Sequence, residues 1–247
     1  MSFQTVFKRY EIKYLITTEQ RQKLVNEMSP YMQLDKYGHS TISNIYYDTD
    51  TYLLIRRSIE KPVYKEKLRI RSYGLDNPSN MVFVELKKKY NHTVYKRRIM
   101  LRKNEATAWL NDKVYNLDNT QISQEINYFI DYYKTLHPTV FLSYEREAFF
   151  SKNGSDFRIT FDENILCREN NLSFEEKASG IPILPNNMIL MEIKCSGGIP
   201  LWMTNLLSKE KIYKTSFSKY GEAYRTIIFP RLHKNNNTTF KEAPYNV

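Results

Sequence analysis

An α+β fold is expected from this sequence: about eight mostly antiparallel strands closing into a β-barrel, a polar, cationic lumen, and helices packed on the outside. Three observations carry that expectation. The first is charge at every second residue. Lys65-Glu66-Lys67-Leu68-Arg69-Ile70-Arg71-Ser72 sets four cations on one strand face, and Arg9-Tyr10-Glu11-Ile12-Lys13, Phe83-Val84-Glu85-Leu86-Lys87 and Met191-Glu192-Ile193-Lys194 repeat the pattern. The second is turn chemistry between such runs, at Gly74 to Asn80 with Pro78, at Asn91-His92 and at Asn153-Gly154-Ser155. The third is helical spacing in the segments between hairpins, as in Ile122, Ile126, Phe129, Ile130 and Tyr133.

In order along the chain, Phe7 to Ile16 alternates as a strand, and Thr17 with Gln20 forms a capping-box pattern that starts a helix to about Met32. Thr41 to Asp48, rich in tyrosine and β-branched residues, is a second strand, and a helical turn follows through Tyr52 to Arg57. The charged ladder after Pro62 and Met81 to Lys88 make a hairpin, extended by Val94 to Leu101. Asn104 can cap a short helix ending near Leu110, and a longer helix runs from Ile122 to Leu136. Pro138 ends it. Val140 to Phe149 and Phe157 to Asp162 form another hairpin, an irregular excursion spans Glu163 to Asn187, and Met188 to Cys195 is the last strand. Helices from Pro200 to about Leu207 and from Ser218 to Ile228 close a single unit over 1–233, leaving 234–247 as a flexible tail.

If the charged faces of Arg9, Glu11, Lys13, Lys67, Arg69, Arg71, Glu85, Lys87, Arg158 and Glu192 point inward, the barrel holds a wet, cationic tunnel. Ile12, Leu68, Ile70, Val84, Leu86, Ile159, Phe161 and Ile193 then lie beneath the helices. Composition agrees: Lys plus Arg number 37 against 27 Asp plus Glu, a net charge of +10, so the ligands expected are polyanions. Cys167 and Cys195 make neither a CxxC pair nor a disulfide framework. No run of about 18 apolar residues and no signal segment is present, so a soluble, cytoplasmic protein without a transmembrane segment is expected.

These motifs, with Leu68-Arg69-Ile70-Arg71-Ser72-Tyr73-Gly74, Tyr95-Lys96-Arg97-Arg98, Tyr144-Glu145-Arg146, Phe157-Arg158-Ile159-Thr160 and Phe217-Ser218-Lys219-Tyr220 in the same order, resemble the VTC domain. That domain is the catalytic module of polyphosphate polymerases in the triphosphate tunnel metalloenzyme (CYTH-like) superfamily. The resemblance spans nearly the whole chain. It implies an eight-stranded tunnel whose phosphate-binding lining maps onto Lys13, Arg69, Arg71, Lys87, Lys96, Arg146, Arg158 and Lys219, with Glu192 as metal-binding glutamate. Lys67 and Lys194 join that lining from their strand faces. Arg69, Arg71, Lys87, Arg146 and Arg158 are the residues expected to act on the reacting phosphoryl group. The superfamily's first-strand ExExK signature is replaced here by Arg9-Tyr10-Glu11-Ile12-Lys13, leaving Glu11 as the remaining acid and favouring chain binding over two-metal hydrolysis. The sequence holds neither the N-terminal regulatory domain nor the membrane helices of eukaryotic members, so regulation and delivery of the product are expected to differ.

Burying a phosphate chain demands matched fixed cations. Arginine forks set the register of phosphate oxygens, and lysines neutralise as point charges. Mn²⁺ or Mg²⁺ is implied, with Glu192 and Glu11 or Glu85 as the supply of hard oxygen ligands. The expected partners are ATP and inorganic polyphosphate, with no nucleic acid. The leading function is transfer of the γ-phosphoryl group of ATP onto a growing polyphosphate chain. Two alternatives stay open: hydrolysis of tripolyphosphate or nucleoside triphosphates, and noncatalytic binding of polyanions or RNA, for which net charge alone suffices. Alanine at Arg69 or Arg71 is expected to abolish turnover and leave the fold intact, because it relieves like-charge repulsion in the empty tunnel.

Overall fold

The computed structural model describes residues 10–74, 80–91, 93–114 and 119–233, and its strands follow the charge alternation. Arg9 and the start of the first strand, the turn residues 75–79 with Pro78, His92, and the tail from 234 lie outside the described residues.

Strand β1 (Tyr10–Thr17) leads into helix α1 (Thr18–Met28), whose start is fixed by the capping box: Thr17 Oγ1 accepts from the Gln20 N–H, and Gln20 Oε1 from the Thr17 N–H. Then come β2 (Met32–Asp48), α2 (Leu53–Ile59), the ladder β3 (Tyr64–Tyr73), β4 (Met81–Tyr90), β5 (Thr93–Arg102), α3 (Lys103–Asp112) and α4 (Gln121–Tyr132). The second half holds β6 (His137–Ser151), β7 (Arg158–Arg168), β8 (Ile181–Pro182), β9 (Met188–Cys195), α5 (Leu201–Lys209), β10 (Lys214–Thr215) and α6 (Lys219–Ala223), which continues as a π-helical turn over Tyr224–Ile228.

All strands join one antiparallel sheet in the order β10-β1-β9-β7-β6-β2-β3-β4-β5, with β8 paired to β7. The closed eight-stranded barrel is corrected on both counts. Ten strands are present because the two-residue strands β8 and β10 add to eight long ones, and the sheet ends at β10 and β5 without backbone closure among the described residues. Curvature still brings the two halves together, since Lys87 on β4 lies 3.6 Å from Glu11 on β1. Other boundaries moved too: α1 ends at Met28 and Met32 starts the next strand, and α4 ends at Tyr132 rather than Leu136, with Pro138 inside β6. β2 begins nine residues earlier than Thr41, through a register shift between Leu34 and His39 where Gly38 takes a left-handed φ of 54°. β7 runs on past Asp162 to Arg168.

The convex face is apolar. Ile12, Ile159, Phe161, Met191 and Ile193 pack with α1 and α5, and Leu68, Ile70, Val84 and Leu86 pack with Trp109 of α3 and Ile126, Phe129 and Ile130 of α4. A second correction concerns helix placement, because not every helix is on the outside. Ile55 of α2, Tyr220 and Ala223 of α6 and Ile228 of the π-turn pack on the concave face against Ile42, Tyr46, Val140, Leu142 and Leu190. One end of the concave face is itself apolar and needs that cover.

Asp48, fully buried, ties this cover down. Its carboxylate accepts from the N–H groups of Thr49 (2.8 Å), Leu54 (2.8 Å) and Ile55 (2.9 Å) and from the Tyr220 hydroxyl (3.0 Å). Asp48→Ala leaves those buried donors without their acceptor. It is expected to cost about 3 kcal/mol, read as a drop in the thermal unfolding midpoint.

Candidate functional site

Antiparallel pairing places the charged side chains of seven strands on the concave face. Arg69 lies opposite Glu85, Glu85 opposite Arg98, and Lys87 opposite both Lys67 and Lys96. Across the sheet Arg146 lies opposite Asp162, Arg158 opposite Lys194, and Lys13 opposite Glu192. Each register pair shares a face because side-chain direction alternates with period two.

The side chains gather round buried carboxylates. Glu85, 1% exposed, accepts from Arg69 Nε (2.9 Å) and Nη2 (2.8 Å) and pairs with Lys96 (2.5 Å) and Arg71 (3.8 Å). Arg69 also donates to the Tyr46 hydroxyl (2.7 Å), and Arg71 to Asn44 Oδ1 (2.9 Å) and the Tyr144 hydroxyl (3.3 Å). On the facing strands Asp162, 0% exposed, takes a two-pronged bond from Arg146 and another from Lys219 of α6. Glu192, 6% exposed, is ringed by Lys194 (3.0 Å), Lys13 (3.4 Å), Arg146 (3.8 Å) and Lys219 (3.8 Å). Tyr144 joins the groups, bonded to Arg71 and lying beneath Arg146 and the Lys219 ammonium.

The remaining candidates are placed further out. Glu11 bridges Lys13 and half-exposed Lys87, each at 3.6 Å. Lys67 donates to Ser218 Oγ (3.0 Å) and Lys13 to the Phe217 carbonyl (3.0 Å), so the start of α6 is held by lumen cations. Lys65 turns to the Ser58 carbonyl, and Arg158 pairs with Asp35 (3.4 Å) toward the edge of the cluster. Sequence reasoning missed Asp162, Tyr144, Tyr46, Asn44 and Arg98. Asp162 had a signal, since it continues the alternation of Arg158 and Thr160, whereas Asn44 and Tyr46 read as ordinary strand residues.

Burial and neighbouring charge together set the protonation states. Burial, then Lys13, Lys65, Lys87 and Arg69, bring the Lys67 ammonium down to about 7. Burial also lowers Lys96, to about 8, with Glu85 opposing and Arg71 and Arg69 assisting. Burial would raise Tyr144, but Arg71, Arg146 and Lys219 outweigh it and bring the phenol to about 8. The carboxyls go the other way. Burial raises Glu85, Asp162 and Glu192, yet their cationic neighbours lower all three, holding Glu85 and Glu192 well below the usual carboxylate range. Glu11 falls to about 2, against burial, chiefly through Lys87.

Among the described residues no group of three His, Cys, Asp or Glu side chains is arranged as a self-sufficient metal site. A Mg²⁺-type site completed by substrate phosphate oxygens needs one or two carboxylates. Glu192 and Glu11, on the lumen side of neighbouring strands and both ionised, fit that requirement.

The site is thus a curved antiparallel sheet whose concave face carries a cluster of fixed cations, a charge that suits a polyanion. Residues 8–228 match the family model of the VTC domain, and the chain belongs to that family. Similar solved structures include a candidate adenylate cyclase from Bacillus halodurans, with TM-score 0.56 at 15% identity over 91% of this chain and 100% of that one. A candidate adenylyl cyclase from Hippeastrum with a dominant triphosphatase activity aligns with TM-score 0.52 at 15% identity, over 87% and 94%. A candidate adenylate cyclase from Vibrio parahaemolyticus gives 0.50 at 12%, over 89% and 98%. At these identities the likeness is one of fold. No curated protein matches the chain. Among the described residues no helix is long and apolar enough to cross a membrane.

Proposed function

We propose that this protein is a polyphosphate polymerase, which transfers the γ-phosphoryl group of ATP to the end of an inorganic polyphosphate chain lying along the concave face. The observation that carries this reading is the pair of facing cation clusters: Arg69, Arg71 and Lys96 round Glu85, and Lys13, Arg146, Lys194 and Lys219 round Glu192 and Asp162. A chain drawn between them meets cations on both sides, as phosphoryl transfer requires.

In the reaction, a terminal phosphate oxygen of the chain attacks the γ-phosphorus, the bond from that phosphorus to the β–γ bridging oxygen breaks, and ADP leaves with the bridging oxygen. Arg69 and Arg71 hold the transferring group, their forks aimed by Glu85 and Asn44. Arg146, Lys13 and Lys219 take up charge on the opposite side, Lys87 and Lys194 neutralise neighbouring phosphates, and Arg158 guides the chain at the edge. Mn²⁺ or Mg²⁺ held by Glu192 and Glu11 with phosphate oxygens would neutralise the β- and γ-phosphoryl charge. The attacking group is already ionised at neutral pH, so a base is dispensable, and none of the clustered residues is histidine.

A second reading, hydrolysis of tripolyphosphate or nucleoside triphosphates, draws on the same two cation clusters, which would hold a triphosphate equally well with water as the acceptor. Incubation with ATP, Mn²⁺ and a short phosphate primer separates them. Chain growth on a gel supports the polymerase, phosphate release without growth selects the hydrolase, and binding without turnover overturns both.

Protonation gives an independent check. A bound phosphate chain supplies the counter-charge that Lys67 lacks and adds to the one Glu85 gives Lys96, so both regain protons and Tyr144 is pushed back toward its neutral form. Binding therefore takes up protons, and affinity is expected to fall as pH rises from about 7 toward 10.5. The same depressed lysine costs the empty fold stability below pH 7, a cost that fades over this range. Calorimetry of tripolyphosphate binding at pH 8, in two buffers of different ionisation enthalpy, should show net uptake, and a zero result would refute it.

A further inference from the structure

We propose that Tyr73, Phe83 and the Arg98 guanidinium form a platform on which the base of a nucleoside triphosphate stacks while its phosphates lie on Arg69 and Arg71. This rests on the reading that the concave face takes a phosphate chain, and extends it to where the nucleoside goes.

The placement follows from register. Phe83 lies opposite Arg71 and opposite Met100, Arg98 lies opposite Glu85, and Tyr73 is two residues beyond Arg71, so all of them share the concave face. One such two-residue step along a strand is about 7 Å, which puts the rings directly past the arginines on the path of an extended triphosphate. The Tyr73 and Phe83 rings meet edge to face at 5.7 Å, and the Arg98 guanidinium lies 5.0 Å over Phe83. The group is open to solvent: Tyr73 is 39% and Met100 58% exposed. Arg98 has no carboxylate partner among the described residues, unlike Arg69, Arg71, Lys96 and Arg146.

The other end of the concave face cannot take the nucleoside. There Tyr46, Val140, Leu142 and Leu190 are covered by Tyr220, Ala223 and Ile228, with Tyr220 stacked on Tyr46 at 4.9 Å. A triphosphate bound to the arginines must therefore project its bulky end toward Tyr73 and Phe83. Aromatic faces and a guanidinium plane stack on any base, and a cation there also meets the α-phosphate. Stacking on Phe83 and Arg98 does not depend on the groups at the edge of the base, so adenine and guanine are expected to be taken alike.

The test compares two ligands by calorimetry, the β,γ-imido analogue of ATP and inorganic tripolyphosphate, on the unaltered chain, Phe83→Ala and Phe83→Leu. Either variant is expected to weaken the nucleotide analogue about tenfold and leave tripolyphosphate unchanged. The leucine keeps the apolar volume, so the experiment survives if the alanine variant fails to fold. Equal weakening of both ligands, or of neither, overturns the platform while the phosphate-binding reading stands. Failure of the unaltered chain to bind either ligand overturns that reading and the platform with it.

Discussion

Arg69→Ala is expected to lower kcat/KM for polyphosphate synthesis by at least about a thousandfold, the scale on which an arginine stabilises a transferring phosphoryl group. The planar fork is the reason. Its Nε and Nη2 are fixed by Glu85 and its Nη1 by Tyr46, so the guanidinium is held in one orientation before any ligand arrives. Arg69→Lys should recover little of the loss, since an ammonium can satisfy neither partner set nor chelate two oxygens. The sequence-based expectation that the fold is indifferent to this change does not hold against the geometry. Removing Arg69 takes the two-pronged partner from a carboxylate that is 1% exposed, leaving Lys96 and Arg71. The variant should be about 1–3 kcal/mol less stable. Arg69→Ala combined with Glu85→Ala separates the effects. The double change should recover part of the thermal midpoint and none of the activity, and recovery of activity would remove Arg69 from the reaction.

The concave cluster was legible in the sequence because side-chain direction in a strand is a local property. Counting by two from Arg69 gives Lys67 and Arg71, and from Lys13 gives Glu11, with no knowledge of the rest of the fold. Asp162 was within reach of the same count, two residues beyond Thr160, but it was read as the last residue of a strand that runs on to Arg168. What was not legible depends on partners distant in sequence. Two residues, as in β8 and β10, carry no periodicity. The early part of β2 is broken by Asp35-Lys36 and the bulge at Gly38, and its pairing with β6 resumes only after a register shift. The placement of α6 was hidden for another reason. An apolar helix face shows that a helix covers something, and this sheet offers an apolar surface on both sides, at Ile159 and Phe161 outside and at Val140, Leu142 and Leu190 inside.

Glu192→Gln should split binding from turnover. In the empty protein Glu192 is the shared counter-ion of Lys194, Lys13, Arg146 and Lys219, and these hold its carboxyl ionised although it is buried. Neutralising it leaves those cations crowded, so the thermal midpoint of the empty variant should fall. The same change removes the anion that competes with phosphate for those groups. In the absence of divalent metal, tripolyphosphate should therefore bind about tenfold more tightly to the variant, and with a steeper dependence on salt. Turnover should move the opposite way, falling at least about a hundredfold, because the carboxylate that would share a divalent ion with phosphate oxygens is gone. A role as counter-ion alone predicts something else: tighter binding with turnover unchanged or raised. In that case the metal-holding carboxylate must be sought in Glu11 and Asp162, and Asp162 would first have to give up the two-pronged bond from Arg146.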